Sequence, residues 1–502
     1  STPTTTPARA WLALAVLMLP VLLIAIDNTV LAFALPLIAE DFRPSATTQL
    51  WIVDAYSLVL AALLVPMGAL GDRVGRRRLL LIGATGFAAV SAAAAFAPTA
   101  GALVGARALL GVFGAMLMPA TLSLIRNIFT DDSARRLAIA IWASCFTAGA
   151  ALGPITGGAL LEHFHWGAVF LVAVPILLPL LLLAPRLVPE SRDPNPGPLD
   201  PISIALALLA MAPSVWAIKS VAHDGFTGIA LAAFGLGVVA TTLFVWRQNL
   251  SETPMLEMRL FRYAPFSSSV LANFLSVVGL IGLLFFLAQH LQLVLGLPPL
   301  MAGLVTLPGA VCSVIGGLAV VRLAQRYAPH SLIVIGLLLV AAGFALVLLF
   351  RNDLTVAAVI ASLVTLEIGV GISQTVSNDT IVAAVPPAKA GAAAAVSETA
   401  YELGAVIGTA TLGTVLTASY RSNIELPHGL SEPAAAQAGE SIGGATAVAN
   451  EVPPEMAARL LDSARTAFDS GIAPMAGIAI ALTLTAVAVV IRAFRGRPTV
   501  GP

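Results

Sequence analysis

Apolar runs of about 20 residues recur along nearly all of this 502-residue chain, and that recurrence restricts its fold more than any single motif. A helix rises about 1.5 Å per residue, so such a run crosses the ~30 Å hydrocarbon core of a bilayer. Transmembrane β-strands are about half as long and alternate in polarity, so these spans read as helices, which also satisfy their own backbone groups in lipid. Fourteen are expected, at 11–38, 49–70, 79–98, 101–125, 136–161, 166–185, 201–221, 227–246, 266–294, 299–320, 331–350, 354–382, 391–418 and 472–494. Between the third and fourth, the break rests on Pro98 and Thr99 alone. Only 10% of the residues are charged, where a soluble chain carries about a quarter.

Net charge is zero, so the placement of the basic residues says more than their number. Arg73 and Arg76 to Arg78, Arg135 and Arg136, Arg259 and Arg262, Arg322 and Arg326, and Arg492, Arg495 and Arg497 all fall on one side if the chain crosses fourteen times. The positive-inside rule makes that side cytoplasmic, with both termini there. The first span is too long, and lacks the cleavage pattern, for a removable signal peptide. Cys145 and Cys312 lie far apart inside apolar runs and suggest neither a disulfide nor a metal site. No Walker sequence, GxGxxG, HExxH or nucleophile elbow occurs, so no enzyme, cofactor, metal or nucleic-acid partner is expected, and transport would draw on an ion gradient.

The polar segment PESRDPNPGP, from Pro189 to Pro198, divides the spans. We expect an all-α membrane protein with a six-helix bundle over 1–188, a linker with two inserted helices over 189–265, and a second six-helix bundle over 266–502. GDRVGRRR after the second span has a degraded counterpart, RLAQRYAPH, from Arg322 to His330 after the tenth. The extracellular loop 419–471 is the sizeable soluble element, and PPEMAARLLDSARTAF within it has helical spacing with one apolar side. It reads as a surface cap, or alternatively as a gate or oligomer contact; the chain is expected to be monomeric.

GALGDRVGRRR, from Gly68 to Arg78, carries the most chemistry. Its glycines permit a tight turn and close helix approach, and Asp72 is placed to meet a helix N-terminus or a basic group of the other bundle. Positive-inside anchoring explains its arginines but not its spaced Gly and Asp. The segment resembles the signature loop of the major facilitator superfamily at Gly68, Leu70, Asp72, Arg73, Gly75, Arg76 and Arg77, which implies the two-bundle fold and a conformational latch. LVGARALLGVFGA is similar to that family's pattern around an intramembrane arginine, with Arg107 and Gly111 retained and Leu110 where glutamine is common. A buried charge needs a partner, and both Asp27 and Asp54 are candidates, which makes Arg107 and Asp54 a coupling pair and leaves Asp27 as the alternative.

GAALGPITGG resembles the antiporter motif of the drug-exporting branches through Gly149, Gly153, Pro154, Gly157 and Gly158, and the resemblance implies export in exchange for protons. AIDNTVLAFALP, WIVDAYSLVLA and QHLQLVLGLPPLMAG look like segments of the fourteen-helix drug:proton antiporters, the QacA-like multidrug exporters.

Acids inside the spans suggest the cargo. Asp27, Asp54, Glu367, Glu398 and Glu402 are candidates for binding cations or protons, because an intramembrane carboxylate with few basic partners is neutral when protonated and attracts a cation when ionised. Asp27, Glu367 and Glu402 lead; Glu398, and Asp379 at the boundary, serve equally well as helix-end or structural acids. Phe33, Trp51, Tyr56, Trp142, Phe285, Phe286 and Tyr401 offer flat apolar contacts and cation–π attraction, while His290 reads as a helix-end polar residue. The expected function is proton-coupled efflux of lipophilic cations, such as quaternary ammonium compounds and dyes, across a bacterial cytoplasmic membrane. A gradient-driven carrier for one metabolite or lipid, and a non-transporting receptor or assembly protein, are the alternatives.

Overall fold

The computed structural model describes residues 7–42, 46–161, 163–194, 200–252, 254 and 256–494. Its helices are α1 (Pro7–Phe42), α2 (Ala46–Val74), α3 (Arg76–Ala94), α4 (Ala100–Ile128), α5 (Asp132–Leu161), α6 (Ala168–Leu171), α7 (Ala173–Leu187), α8 (Pro201–Asp224) and α9 (Gly228–Leu250). They continue with α10 (Ala264–Gln289), α11 (Pro299–Leu323), α12 (Pro329–Leu349), α13 (Val356–Ala383), α14 (Ala390–Asn423), α15 (Glu432–Glu440), α16 (Ile442–Ala449), α17 (Pro454–Ser470) and α18 (Ile472–Phe494). Among the described residues, fourteen spans are long and apolar enough to cross a membrane, as expected from the runs.

Helix starts follow local chemistry. The Thr99 side chain accepts the N–H of Ala102 and separates α3 from α4, and Thr227 and Thr355 cap α9 and α13 in the same way. Gly75, at φ +117°, turns the chain between α2 and α3, a conformation that side-chain-bearing residues rarely adopt.

Two six-helix bundles result. In the first, α2 packs on α4, α1 on α5, α3 on α4, and α7 on both α1 and α3. In the second, α13 is held between α11 and α12, α10 packs on α14, and α18 on α12 and α10. The inserted helices α8 and α9 pack on each other, with α8 also reaching α2 and α14. Between the bundles, α5 lies against α11 and α13, and α14 lies against α2 and α4. The end carrying Arg76 to Arg78 is called the basic end below; α15 to α17 form a cap at the other.

The cap belongs to the second bundle. PPEMAARLLDSARTAF supplies α17, which buries Leu460, Ala464, Ala467 and Phe468. Phe468 stacks on Phe286 of α10 with ring centroids 5.4 Å apart, and the Tyr420 hydroxyl donates to the Ala438 carbonyl at 2.7 Å. His290 does lie at a helix end, in the π-helical turn that closes α10, buried with Nδ1 3.2 Å from Asp469 Oδ1 and Nε2 3.0 Å from the Leu354 carbonyl.

Candidate transport site

Three segments singled out in the sequence meet around Asp27. A Cβ on Gly149 of α5 would stand 2.7 Å from the Ala25 Cβ and 2.8 Å from the Leu22 carbonyl, and one on Gly153 would collide with Thr29. Only residues without a side chain let α5 approach the α1 backbone this closely. On the other side, Arg107 of α4 donates from a guanidinium NH to Asp27 Oδ2 at 2.7 Å and from Nε to the Ile52 carbonyl at 3.2 Å, and it lies 4.5 Å from the centre of the Tyr56 ring. Both charged groups are buried.

The partner of Arg107 is thus Asp27, and this changes the expectation for Asp27: a carboxylate neutralised at 2.7 Å is not a cation-seeking acid without a basic partner. The side chain of Asp54 lies outside the described residues, as do the side-chain surroundings of Pro154 and Gly158; Gly157 is buried in α5.

At the basic end, Asp72 of α2 crosses to the second bundle. Its two carboxylate oxygens accept the N–H groups of Gly391 and Ala392, each at 3.0 Å, in the first turn of α14. There the free N–H groups and the helix dipole favour negative charge. Arg76 donates to the same carboxylate at 2.6 and 2.8 Å and to the Pro387 carbonyl at 2.9 Å. A Cβ on Gly68 would fall 2.6 Å from both the Gly391 carbonyl and the Ala395 Cβ, so the crossing needs glycine there. Arg77 is anchored within the first bundle, on the Pro185 and Val188 carbonyls and Glu190; Arg73 is half-buried in the last turn of α2.

A second crossing was not among the expected site residues. Asp379, at the end of α13, accepts from Arg135 at 2.8 Å and Arg136 at 3.1 Å, both on α5. The sequence signal was an arginine pair at the start of one span and an acid at the same end of another. Nothing in the spacing says that the two ends face each other.

Between the bundles lies a cavity of ≈ 280 Å³ of empty volume, lined among others by Trp142 and Phe146 of α5, Asn273 of α10, Asn378 of α13, and Glu398 and Tyr401 of α14. Tyr401 and Phe146 meet edge-on across the bundle interface, with ring centroids 5.1 Å apart. Trp142 donates its indole N–H to the Thr121 hydroxyl at 3.1 Å, which fixes its ring. Glu398 is buried in this wall and forms no ion pair with a described residue, while Glu402, one turn on, is half-buried. The two share a helix face, and Glu398 lines the cavity. Glu367 is also buried, yet it faces α11, where a Cβ on Gly309 would stand 3.2 Å from its Cγ, and its Oε2 has no hydrogen-bond partner among the described residues. With Asp72 and Asp379 both bridging the bundles at the basic end, the molecule is in a state closed at that end.

A family model described as Major Facilitator Superfamily matches residues 17–409. The chain is 74% identical, over 98% of each sequence, to the multidrug efflux pump LfrA of Mycolicibacterium smegmatis. It is 38% identical to the methyl viologen resistance protein SmvA of Salmonella typhimurium, over 92% of this chain and 93% of that one. Among solved structures, the human organic anion transporter MFSD10 aligns over 97% of this chain and 100% of its own, with a TM-score of 0.63 at 17% identity. At that identity the likeness is one of fold alone.

Proposed function

This chain belongs to the major facilitator superfamily of transporters, and we propose that it is a multidrug efflux antiporter that exports lipophilic cations in exchange for protons. The observation that carries the reading is Glu398, a buried carboxylate with no ion pair among the described residues, in an interbundle cavity shared with Trp142, Phe146 and Tyr401. Such a wall attracts a flat cation through charge, cation–π contact and apolar area together. The 74% identity to a protein named a multidrug efflux pump supports export of several drugs.

In this reading the basic end faces the cytoplasm of a bacterium, as the arginine distribution favours, and both termini lie there. The bundles 1–188 and 266–502 rock about the cavity, with 189–265 as an inserted linker. The chain works as a monomer in the bilayer with the proton gradient as its energy source and no cofactor. Asp72 with Arg76, and Asp379 with Arg135 and Arg136, hold the cytoplasmic side shut while cargo leaves outward. Opening that side separates these groups, and a cation enters toward Glu398. Protons arriving from outside then discharge the acids of the second bundle and release the cation. Arg107 and Asp27 keep α1, α4 and α5 in register through both states.

The test is dye transport by the purified protein in proteoliposomes under an imposed pH gradient. Export of ethidium driven by the gradient, and competed by methyl viologen and quaternary ammonium compounds, is expected. Gradient-driven flux of one narrow metabolite with no cation competition would favour the specific-carrier reading, and absence of any proton-linked flux would overturn transport altogether.

A further inference from the structure

We infer that Glu367 is the acid that carries the proton and never touches cargo, whereas Glu398 is the carboxylate that meets the cation. The inference rests on the antiport reading and divides its two tasks between two residues.

Both acids are buried in the second bundle and form no ion pair among the described residues, but their surroundings differ. Glu398 opens on the aromatic cavity. Glu367 points into the seam between α13 and α11, where a Cβ on Gly309 would already stand 3.2 Å from its Cγ. Its Oε2 is buried with no hydrogen-bond partner among the described residues. The seam stays tight beyond the acid, toward the C-terminal end of α13. A Cβ on Gly316 would lie 2.9 Å from the Ile368 carbonyl, and one on Gly371 would collide with the Ser313 carbonyl. A drug-sized cation needs hundreds of Å³, whereas a proton needs only the passage of a water. The unpartnered oxygen is thus accessible to the smaller of the two substrates alone.

The charged groups around Glu367 are few. The residues of α11 beside it, Gly309 and Ser313, are uncharged, as is Leu363 of its own helix; Tyr401 of α14 is the titratable group that senses its charge. One proton binds a carboxylate oxygen of Glu367 from water and returns to water, with no other bond made or broken.

Helix α13 links this event to the cargo and to the clamp. Gln374 and Asn378, on the same helix, line the cavity, and Asp379 engages Arg135 and Arg136. From Glu367 to Asp379 is about three helical turns. A charge gained or lost in so tightly packed a seam changes how α13 seats on α11, and the same rigid helix carries the change to both places.

Four proteins decide it: the wild type, Glu367→Gln, Glu367→Asp and Glu398→Gln, each purified and titrated with ethidium and with its uncharged relative dihydroethidium, while an indicator in weak buffer counts released protons. Glu398→Gln is expected to lose about ten-fold of the preference for the charged ligand, the size of one charge contact. Glu367→Gln is expected to keep that preference within about two-fold and to release about one proton fewer per cation bound, and Glu367→Asp restores the release. Because both ligands pay any conformational cost equally, their ratio reports contact alone. Loss of the preference in Glu367→Gln, or proton release undiminished in it, would overturn the assignment. A wild type that binds ethidium without releasing protons would instead sink the antiport reading itself.

Discussion

The first bundle buries Asp27 against Arg107 at 2.7 Å, whereas the second buries Glu367 and Glu398 with no basic partner among the described residues. Both arrangements place charge where lipid and protein exclude water, but their energetics run in opposite directions. A matched pair is costly to break, because removing one partner strands the other. An unmatched acid is costly to keep, and neutralising it relieves the fold. The pair in the first bundle thus supports the fold, whereas the two acids of the second weigh against it.

Removing Arg107 is the hardest blow to this contrast. Arg107→Met should lower the folding stability by about 3–5 kcal/mol, and pairing it with Asp27→Leu should recover most of the loss; thermal unfolding in detergent reads both. A double variant no more stable than the single one would break the comparison. Asp72→Asn should weaken the closed basic end by about 1.5–3 kcal/mol, the worth of hydrogen bonds to a charged group. Spin-label distances between α2 and α14 at that end should then show an open population.

Glu367→Gln and Glu398→Gln should change stability by less than about 1 kcal/mol, or raise it, while cation transport under a pH gradient falls. A melting temperature that drops as far as that of Arg107→Met would erase the distinction between the bundles. The smallest effect belongs to Asp200, outside the spans, whose carboxyl is held below its ordinary range first by hydrogen bonds from Arg247 and then by Ser203. Its folded value is depressed, so its contribution is complete above the unfolded value of about 3.9 and is lost only as the pH falls through the folded one. Hydrogen exchange at the start of α8 should be unaffected by this group between pH 7 and 5, and accelerated specifically in Asp200→Ala.

Most of the fold was legible because span length and polarity are local properties. Even the narrow break at Pro98 and Thr99 carries its own signal, since Thr99 caps α4. The latch was legible for a similar reason: an acid beside arginines in a helical hairpin faces whatever helix begins opposite it. The site was less so. Arg107 can pair with either Asp27 or Asp54 as far as the chain shows, and its contact with Asp27 is seen only once α1 and α4 are packed together. Glu398 and Glu402 differ by one turn, and only the folded helices show that the first lines the cavity. Asp379 needed both bundles before its two arginines came into view.

Phe468, Tyr420 and His290 fasten the cap to the second bundle, and this gives the molecule a handle on one of its two halves. An antibody fragment raised against α15 to α17 would ride with that half as a fixed landmark. Imaged in detergent or nanodisc, the angle between the fragment and the first bundle would serve as a protractor for the rocking motion, with no label placed inside the cavity.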